Sequence, residues 1–522
     1  RFYQFGEKVL NGLTSGYESL LKKVMGAWVL VALVGVGILV ASGYIYQSLP
    51  KELAPIEDRG TVIGFAIAPE GSSPEFIDKY AHQMEGIYST VPEINRYFMI
   101  IGFPSETNAI SFAGLKDWSE RERSQQEIVG SLMGPMFGGI PGVMAFPMSV
   151  PSLGQSPLSR PVDFVVQSSG SYEELQQVVG AMMGSIWTNP MFTQPDVDLK
   201  LNKPELLVTV NRDKAAAMDV DVSVIGRTLE TMMAGREVTR FKRNGEQYNV
   251  IVQVEDMDRT NPDDLINIYT RSSNGTMVQL ANLVDVEETI AAKELNHFNK
   301  LRSATIKAGL APGVSQQDAI NFLNDKFAEI TADKAGYQVD FGGQMREFVN
   351  AGSSLMFAFG LALVFIYLVL SAQFESFRNP ILIMLSVPTA MLGALAALKL
   401  SDGSLNVYSQ IGLITLVGLI TKHGILIVEF ANQLQLSGKT RAEAALEAAS
   451  MRLRPILMTT AAMVLGAIPL ALAEGAGAES RSQIGWTIVG GMTLGTFLTL
   501  FIVPTIYSLL AAKPEIIEAP KS

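Results

Sequence analysis

The sequence predicts an α-helical transmembrane bundle of six spans with a large α+β extramembrane region built of repeated β-α-β subdomains. Three observations carry this. Six runs reach the roughly 20 mainly apolar residues that cross a bilayer. A long polar stretch, Pro50–Ser353, separates the first run from the other five. Of the 522 residues 48% are apolar and only 17% charged, below the ~25% charge of soluble domains. A soluble globular protein and a disordered scaffold are thereby excluded. The absence of cysteine excludes a disulfide framework, a thiolate zinc site and a cysteine nucleophile. A net charge of −11 argues against a nucleic-acid partner.

The chain opens at Arg1 rather than Met, with no signal-peptide pattern, the expectation for a truncated chain. Phe2–Leu21 has apolar residues at helical spacing and reads as an amphipathic helix on the cytoplasmic face; a helix packed against the bundle fits the same pattern. The spans follow as Val24–Tyr46, Ser354–Ala372, Pro380–Leu398, Asn406–Phe430, Pro455–Ala473 and Ile484–Leu510. Lys and Arg concentrate in the short segments of one side. Arg1, Lys8, Lys22 and Lys23 precede the first span, Arg378 separates the second from the third, and Lys439, Arg441, Arg452 and Arg454 occupy the fourth-to-fifth loop. Lys513 and Lys521 follow the last span, whereas the opposite short loops offer Lys399 and Arg481. Both termini are therefore expected in the cytoplasm and Pro50–Ser353 across the membrane. Trp28 and the Tyr44/Tyr46 pair stand at opposite ends of the first span, as interfacial aromatics do.

Within the polar stretch, Thr61–Ala68 is strand-like and Ser73–Ser89 opens with Ser-Pro-Glu, a capped helix start. Ile94–Ile101 and Ala109–Leu115 read as strands, and Pro135–Pro157, rich in Gly, Pro and Met, as a loop. The theme recurs: strand Val162–Gln167, helix Ser171–Trp187, strand Val197–Leu201. The recurrence predicts two related α+β subdomains. Glu205–Glu294, with turns at Asn244-Gly245 and Asn274-Gly275, reads as a mixed-sheet insertion in the second, which resumes near Leu301.

The most informative residue is Lys422, in the run IGLITLVGLITKHGILIVEF. At 1.5 Å per residue it lies roughly 18 Å of helix below Gln410, where a lysine costs about 2.5–3.5 kcal/mol to insert. Such a residue faces the bundle interior, pairs with a carboxylate and marks a proton or ion path; the bland alternative is a lysine reaching the cytoplasmic interface. His423 points about 100° away on a helix, and Glu429 reads as interfacial. Arg452 and Arg454 stand at the cytoplasmic mouth of the fifth span, with Thr459 on the Arg452 face two turns deeper. None of the six spans holds an interior Asp or Glu, so the partner of Lys422 must come from another chain or another segment.

Other motifs fail. Ser437-Gly-Lys-Thr440 ends like a phosphate loop, but position 433 is Gln where Gly is required. Three histidines cannot form a His-rich metal site, and no HExxH is present. Met133, Met136, Met144 and Met148 could hold soft Cu(I), although such clusters usually serve as adaptable apolar surface. Asn274-Gly-Thr276 fits a glycosylation sequon and reads better as a turn. Gly491 and Gly495 suggest close helix packing.

GLITKHGILIVEFAN (418–432) followed by RLRPILMTT (452–460) closely resembles the fourth and fifth spans in the C-terminal half of resistance-nodulation-division (RND) pumps, hydrophobe/amphiphile (multidrug) type. SFAGLKDWSER (111–121) and VNRDKAAAMDVDVSVIGRTL (210–229) add extramembrane matches, and the resemblance covers essentially the whole chain. It implies a secondary active transporter rather than an enzyme: a proton-driven exporter of drugs, dyes or other amphiphilic small molecules in the bacterial inner membrane, with no cofactor beyond the proton gradient. It implies a homotrimer working with a periplasmic adaptor protein and an outer-membrane channel. The N-terminal half of the pump, in cis or in trans, would supply the two aspartates that pair with Lys422, with Arg452 and Thr459 lining the same path.

By the same resemblance, 1–23 is a cytoplasmic amphipathic helix, 24–46 the first span, 50–159 the first periplasmic pore subdomain, 160–205 with 297–349 the second, 206–296 a docking insertion, 354–510 the five-span bundle and 511–522 a cytoplasmic tail. Phe98, Phe103, Phe112 and Phe164 match aromatic positions of the family's drug pocket, each also readable as core packing. The loop GFPSETN around Phe103 is shorter than the family's glycine-rich switch loop and lacks its second phenylalanine, and Val162 stands where an aromatic often sits. The alternatives are a heavy-metal RND exporter, and a non-transporting membrane scaffold if the half-chain stands alone.

Overall fold

The computed structural model describes residues 2–511 except 154, 157–158, 256–260 and 312. The tail read at 511–522, beyond Ala511, lies outside the described residues, as do Arg1, Lys513 and Lys521. Helix α1 (Phe2–Gly26) passes into α2 (Trp28–Ser48) through Ala27, where the backbone leaves helical values (φ −104°, ψ 40°). The first span, read from Val24, therefore starts at Trp28, because α1 continues through Gly26. Tyr17 and Leu21 of α1 pack into the apolar cluster of the bundle, and the Tyr17 hydroxyl donates to the Leu500 carbonyl at 2.6 Å. Leu13 and Leu20 stay about half exposed on the same helix. Packing against the bundle and an outward apolar face thus coexist.

The first α+β core runs β1 (Thr61–Ile67), α3 (Pro74–Ser89), β2 (Ile94–Ile101), β3 (Asn108–Leu115), α4 (Gln125–Gly139) and β4 (Met144–Ser149). Its antiparallel sheet is ordered β2-β3-β1-β4. Ser73 caps α3 by accepting from the Phe76 amide, with Pro74 at the first helical position; Ser124 and Glu127 form a capping box on α4. One face of the sheet is covered by Ile77, Met84, Ile128 and Leu132 of these helices; the other carries Ile63, Phe65, Ile110 and Phe146. Much of Pro135–Pro157 is not a loop. α4 continues to Gly139 through Pro135, and β4 follows, because Met136, Ile140, Val143 and Ala145 have a core to enter. Met136 packs on the helical side of the sheet while Met133, Met144 and Met148 pack on the other, so the four sulfurs do not converge on one site.

The second core begins with β5 (Val162–Ser168), α5 (Tyr172–Trp187) and β6 (Phe192–Val197). The strand read at Val197–Leu201 lies earlier, because the Asp198 carboxylate accepts the Thr305 amide at 2.7 Å and ends the ladder. Residues 199–295 with 69–71 form a separate unit. It comprises β7 (Lys203–Val210), α6 (Arg212–Ala217), α7 (Val222–Leu229), β8 (Arg236–Arg243), β9 (Glu246–Val252), β10 (Tyr269–Arg271), β11 (Met277–Gln279) and β12 (Val284–Ala291). β7 pairs with β12 over a core that includes Val220, Ile225 and Leu280, and β8 pairs with β9 as a largely exposed hairpin, both antiparallel. Asn244 and Gly245 both take positive φ at the predicted hairpin turn, as that turn type requires. The second core resumes with β13 (His297–Phe298), β14 (Leu301–Leu310), α8 (Gln316–Thr331) and β15 (Tyr337–Phe341), giving β13-β14-β5-β15 with β6 also on β14.

The membrane helices follow: α9 (Gly343–Phe374), α10 (Arg378–Met384), α11 (Ser386–Leu400), α12 (Val407–Leu436), α13 (Arg441–Ala471) and α14 (Ala478–Leu510). Among the described residues six helical segments are long and apolar enough to cross a membrane, α10 and α11 counting as one. α11, α12 and α14 form the buried centre; α2 and α9 expose Leu33, Val40, Phe357 and Phe365 outward, as lipid-facing helices do. α9 starts well before Ser354, so a single helix joins the second core to the bundle. Arg441, Arg452 and Arg454 belong to α13, not to a loop. The connection is only Ser437–Thr440, where Gly438 takes φ +96° and Thr440 caps α13 with Glu443.

Candidate functional site

α12 presents two faces. Ser409, Gly412, Leu416, Ile420, His423, Gly424 and Ile427 are buried in the bundle. Ile411, Thr415, Gly418, Lys422, Glu429 and Gln433 form an exposed stripe at helical spacing. Lys422 therefore projects from the outer side of α12 rather than into this chain's bundle as the sequence predicts, because His423, about 100° round the helix, takes the buried face. Among the described residues it has neither an ion pair nor a hydrogen bond. A Cβ at Gly418, one turn away, would meet nothing within 4 Å. The stripe is open at Gly418 and carries a cation that no group among the described residues neutralises.

Thr460 of α13 meets His423, which places the adjacent Thr459 at the level of Lys422. The Thr459 hydroxyl donates to the Pro455 and Ile456 carbonyls, both at 3.0 Å, a local bond of helical Thr. The Arg452 guanidinium lies over the Phe430 ring, 4.7 Å from its centroid, about 12 Å along α12 from Lys422. Its Nε is buried without a hydrogen-bond partner among the described residues. Arg454 reaches instead to Asn11 of α1. No hydrogen bond joins Lys422, Arg452 and Thr459, so the bundle brings them onto neighbouring helices without closing a network.

A second polar constellation, which the sequence reading missed, surrounds the segment leaving α2. Its backbone bonds Leu405 and Gln316, and Ser404 donates to Glu52. Burial pushes the Glu52 carboxyl up, partly offset by that hydroxyl. Glu57 accepts from Ser480, and Glu479 accepts the Asp58 amide at 3.2 Å, tying the first turn of α14 to this segment. Asp58 takes both Arg121 nitrogens at 3.0 and 3.1 Å, Trp118 Nε1 at 3.0 Å and the Gln125 amide at 2.8 Å. Burial alone would raise the Asp58 carboxyl; the Arg121 fork and the Gln125 and Gly60 amides hold it below its usual range. The only sequence signal was an acidic pair, Glu57-Asp58, beside the apolar Leu53 and Pro55.

The four phenylalanines separate. Phe98 and Phe112 are cross-strand partners on β2 and β3. Phe98 is 63% exposed and Phe103 48%, while Phe112 packs beside the Phe65/Phe146 cluster. Phe164 is wholly buried in β5, edge-on to Phe327 and Phe341; its ring fills the second core. A cavity of about 540 Å³ lies beside α9, lined by Tyr46, Phe348, Met356, Phe359 and Met391 among others. None of the four phenylalanines lines it.

A central α-helical bundle with six segments long and apolar enough to cross a membrane, and α+β cores outside it, define a polytopic membrane protein. The chain belongs to the AcrB/AcrD/AcrF family, whose profile matches residues 1–511; this is the RND assignment that the α12 and α13 motifs indicate. Over 97% of its length it is 37% identical to an uncharacterised transporter of Haemophilus influenzae, covering 50% of that protein. Over 97% it is 31% identical to the multidrug resistance protein MdtF of Escherichia coli, covering 49%. Over 96% it is 28% identical to the toluene efflux pump membrane transporter TtgB of Pseudomonas putida, covering 48%. The chain spans about half the length of the curated relatives it matches.

Proposed function

We propose that this chain is the C-terminal half of a proton-driven efflux transporter for drugs, dyes and other amphiphiles. The observation that carries the reading is Lys422, deep in α12 and facing an unfilled stripe. A carboxylate from the N-terminal half, in cis or in trans, docks on that stripe and pairs with Lys422. Protonating it removes the negative charge and weakens the pair. The packing of α12 against α13 and α14 then shifts, with Arg452 and Thr459 on the same path. The segment bonded to Ser480 and Glu479 carries the shift to the first α+β core. The exposed Phe98 and Phe103, with Phe112, form the amphiphile-contacting surface.

The Lys/Arg bias supports cytoplasmic termini in the inner membrane, with the two cores as related periplasmic pore subdomains and 199–295 as the docking unit. The assembly would be a homotrimer with a periplasmic adaptor and an outer-membrane channel. The names of MdtF and TtgB, a multidrug and a toluene transporter, favour amphiphiles over heavy metals. Replacing Lys422 by Ala in the complete pump should abolish dye efflux while leaving assembly intact; undiminished efflux would sink the relay. The intact mass of the gently extracted native polypeptide separates a pump with both halves in one chain from one assembled of two.

A further inference from the structure

His423 is wholly buried, and both its ring nitrogens meet hydroxyls of other helices. Nε2 lies 3.3 Å from Thr460 Oγ1 on α13, and Nδ1 lies 3.3 Å from Thr496 Oγ1 on α14. The two hydroxyls lie 3.2 Å from each other. The three side chains close a triangle across α12, α13 and α14.

A neutral imidazole carries one donor and one acceptor, and each hydroxyl one donor with acceptor lone pairs. The triangle can therefore run in either sense with every member satisfied. In one sense Nε2–H donates to Thr460, Thr460 to Thr496 and Thr496 to Nδ1. In the other, the tautomer and all three bonds reverse. An apolar side chain at 423 would leave the two hydroxyls only each other and their own helices' carbonyls.

We propose that His423 is a positioning residue for the proton step: through Thr460 and Thr496 it locks α12 to α13 and α14, so that a change in the pairing of Lys422 moves α14 as well. This rests on the efflux reading above. Lys422 and His423 are adjacent, about 100° apart on the helix, so any turn of α12 that re-aims Lys422 must carry the imidazole with it. Thr496 lies on the helix whose first turn, through Ser480 and Glu479, holds Glu57 and Asp58. The triangle thus stands between the unpaired lysine and the helix that reaches the first α+β core.

The experiment is dye efflux by the complete transporter in its own membrane, with maximal rate and half-saturating dye concentration measured separately. His423→Leu should lower the maximal rate at least tenfold at unchanged membrane abundance, with half-saturation unmoved. His423→Gln, which keeps a donor and an acceptor, should recover most of the rate, a rescue that plain volume filling would not give. Should His423→Leu fail to accumulate, Thr496→Val and Thr460→Val supply the test, and each should slow efflux in the same way. Wild-type rates in the Leu or both Val variants, with Lys422→Ala inactive, would overturn the lock and leave the efflux reading standing. Full efflux by Lys422→Ala would overturn that reading itself.

Discussion

The Ser480 hydroxyl donates to the Glu57 carboxylate, fastening the first turn of α14 to the segment that leaves α2. The next residue, Asp58, is anchored on its other side by Arg121, so the fastening continues into the first α+β core. The segment leaving α2 and the first turn of α14 thus meet at the base of one folded region, and that junction is tied by buried charge as well as by apolar contact.

The Asp58–Arg121 pair is the first place to test this. The two side chains are 9% and 2% exposed, so removing one partner leaves a buried charge uncompensated. Such losses run to about 3–5 kcal/mol. Arg121→Ala should lower the melting temperature of the purified protein by far more than Arg59→Ala, whose side chain is a third exposed beside Glu57. Joint replacement, Asp58→Asn with Arg121→Met, should recover part of the loss. Equal melting temperatures for the two single variants would show that the buried fork contributes nothing.

The phenylalanines of the pocket reading divide by burial. Phe164→Ala removes a fully buried ring from between Phe327 and Phe341, a change worth about 3–5 kcal/mol in a core. Its effect should appear as lost stability and lowered abundance. Phe98→Ala acts on a ring that is 63% exposed, so melting should stay within about 0.5 kcal/mol of the parent while dye efflux changes. A Phe98 variant that loses stability and a Phe164 variant that does not would reverse the assignment.

Glu93 and Arg123 make two bonds of 2.7 and 2.6 Å between the turn before β2 and the start of α4. The Arg123 fork holds the Glu93 carboxyl down at about 2, against about 4.3 for a free glutamate. A carboxyl lowered on folding stabilises above its unfolded value and loses that contribution as pH falls through its folded value. The contribution should therefore be complete above about pH 5 and fade toward pH 2. Arg123 is 37% exposed, so solvent screening limits it to about 1 kcal/mol. In melts against pH, Glu93→Gln should cost stability at pH 7 and progressively less as pH falls toward and below about 2; a constant offset would sink the assignment.

Legibility in the sequence followed the reach of each interaction. The six spans were readable because each is a local run of apolar residues, and the roughly 100° between Lys422 and His423 followed from helix geometry. Which of the two faces the bundle did not follow: the sequence puts Lys422 in the interior, and the structure buries His423 there instead. What His423 touches was not readable, since its hydroxyl partners lie 37 and 73 residues away. α9 extends past its apolar run because helical hydrogen bonding does not stop where hydropathy does; Arg346 and Glu347 sit inside it. Pro135–Pro157 read as loop from composition, yet Met136, Ile140 and Val143 had a core to enter. The Ser437–Thr440 phosphate-loop likeness proved to be helix punctuation, Gly438 closing α12 and Thr440 opening α13. Nothing in the sequence beyond their adjacency singled out Glu57 and Asp58, and only the fold put Arg121 and Ser480 around them.

Two glycines separate packing within this chain from packing onto it. A Cβ at Gly490 would stand 2.2 Å from Ala397 Cβ and 2.6 Å from the Gly393 carbonyl, one of them backbone. Gly490→Ala must push α14 away from α11, at about 1–3 kcal/mol, and should lower the melting temperature of this chain on its own. At Gly418, beside Lys422 on the open stripe, nothing lies within 4 Å. Gly418→Leu should leave the melting of this chain unchanged or raise it, since Leu is the better helix former by about 0.8–1 kcal/mol. If a second helix docks on the stripe and brings the carboxylate for Lys422, the same substitution should obstruct that docking and abolish efflux by the complete transporter. Efflux at the parental rate from Gly418→Leu would mean that the stripe faces lipid, and that the charge answering Lys422 approaches from elsewhere.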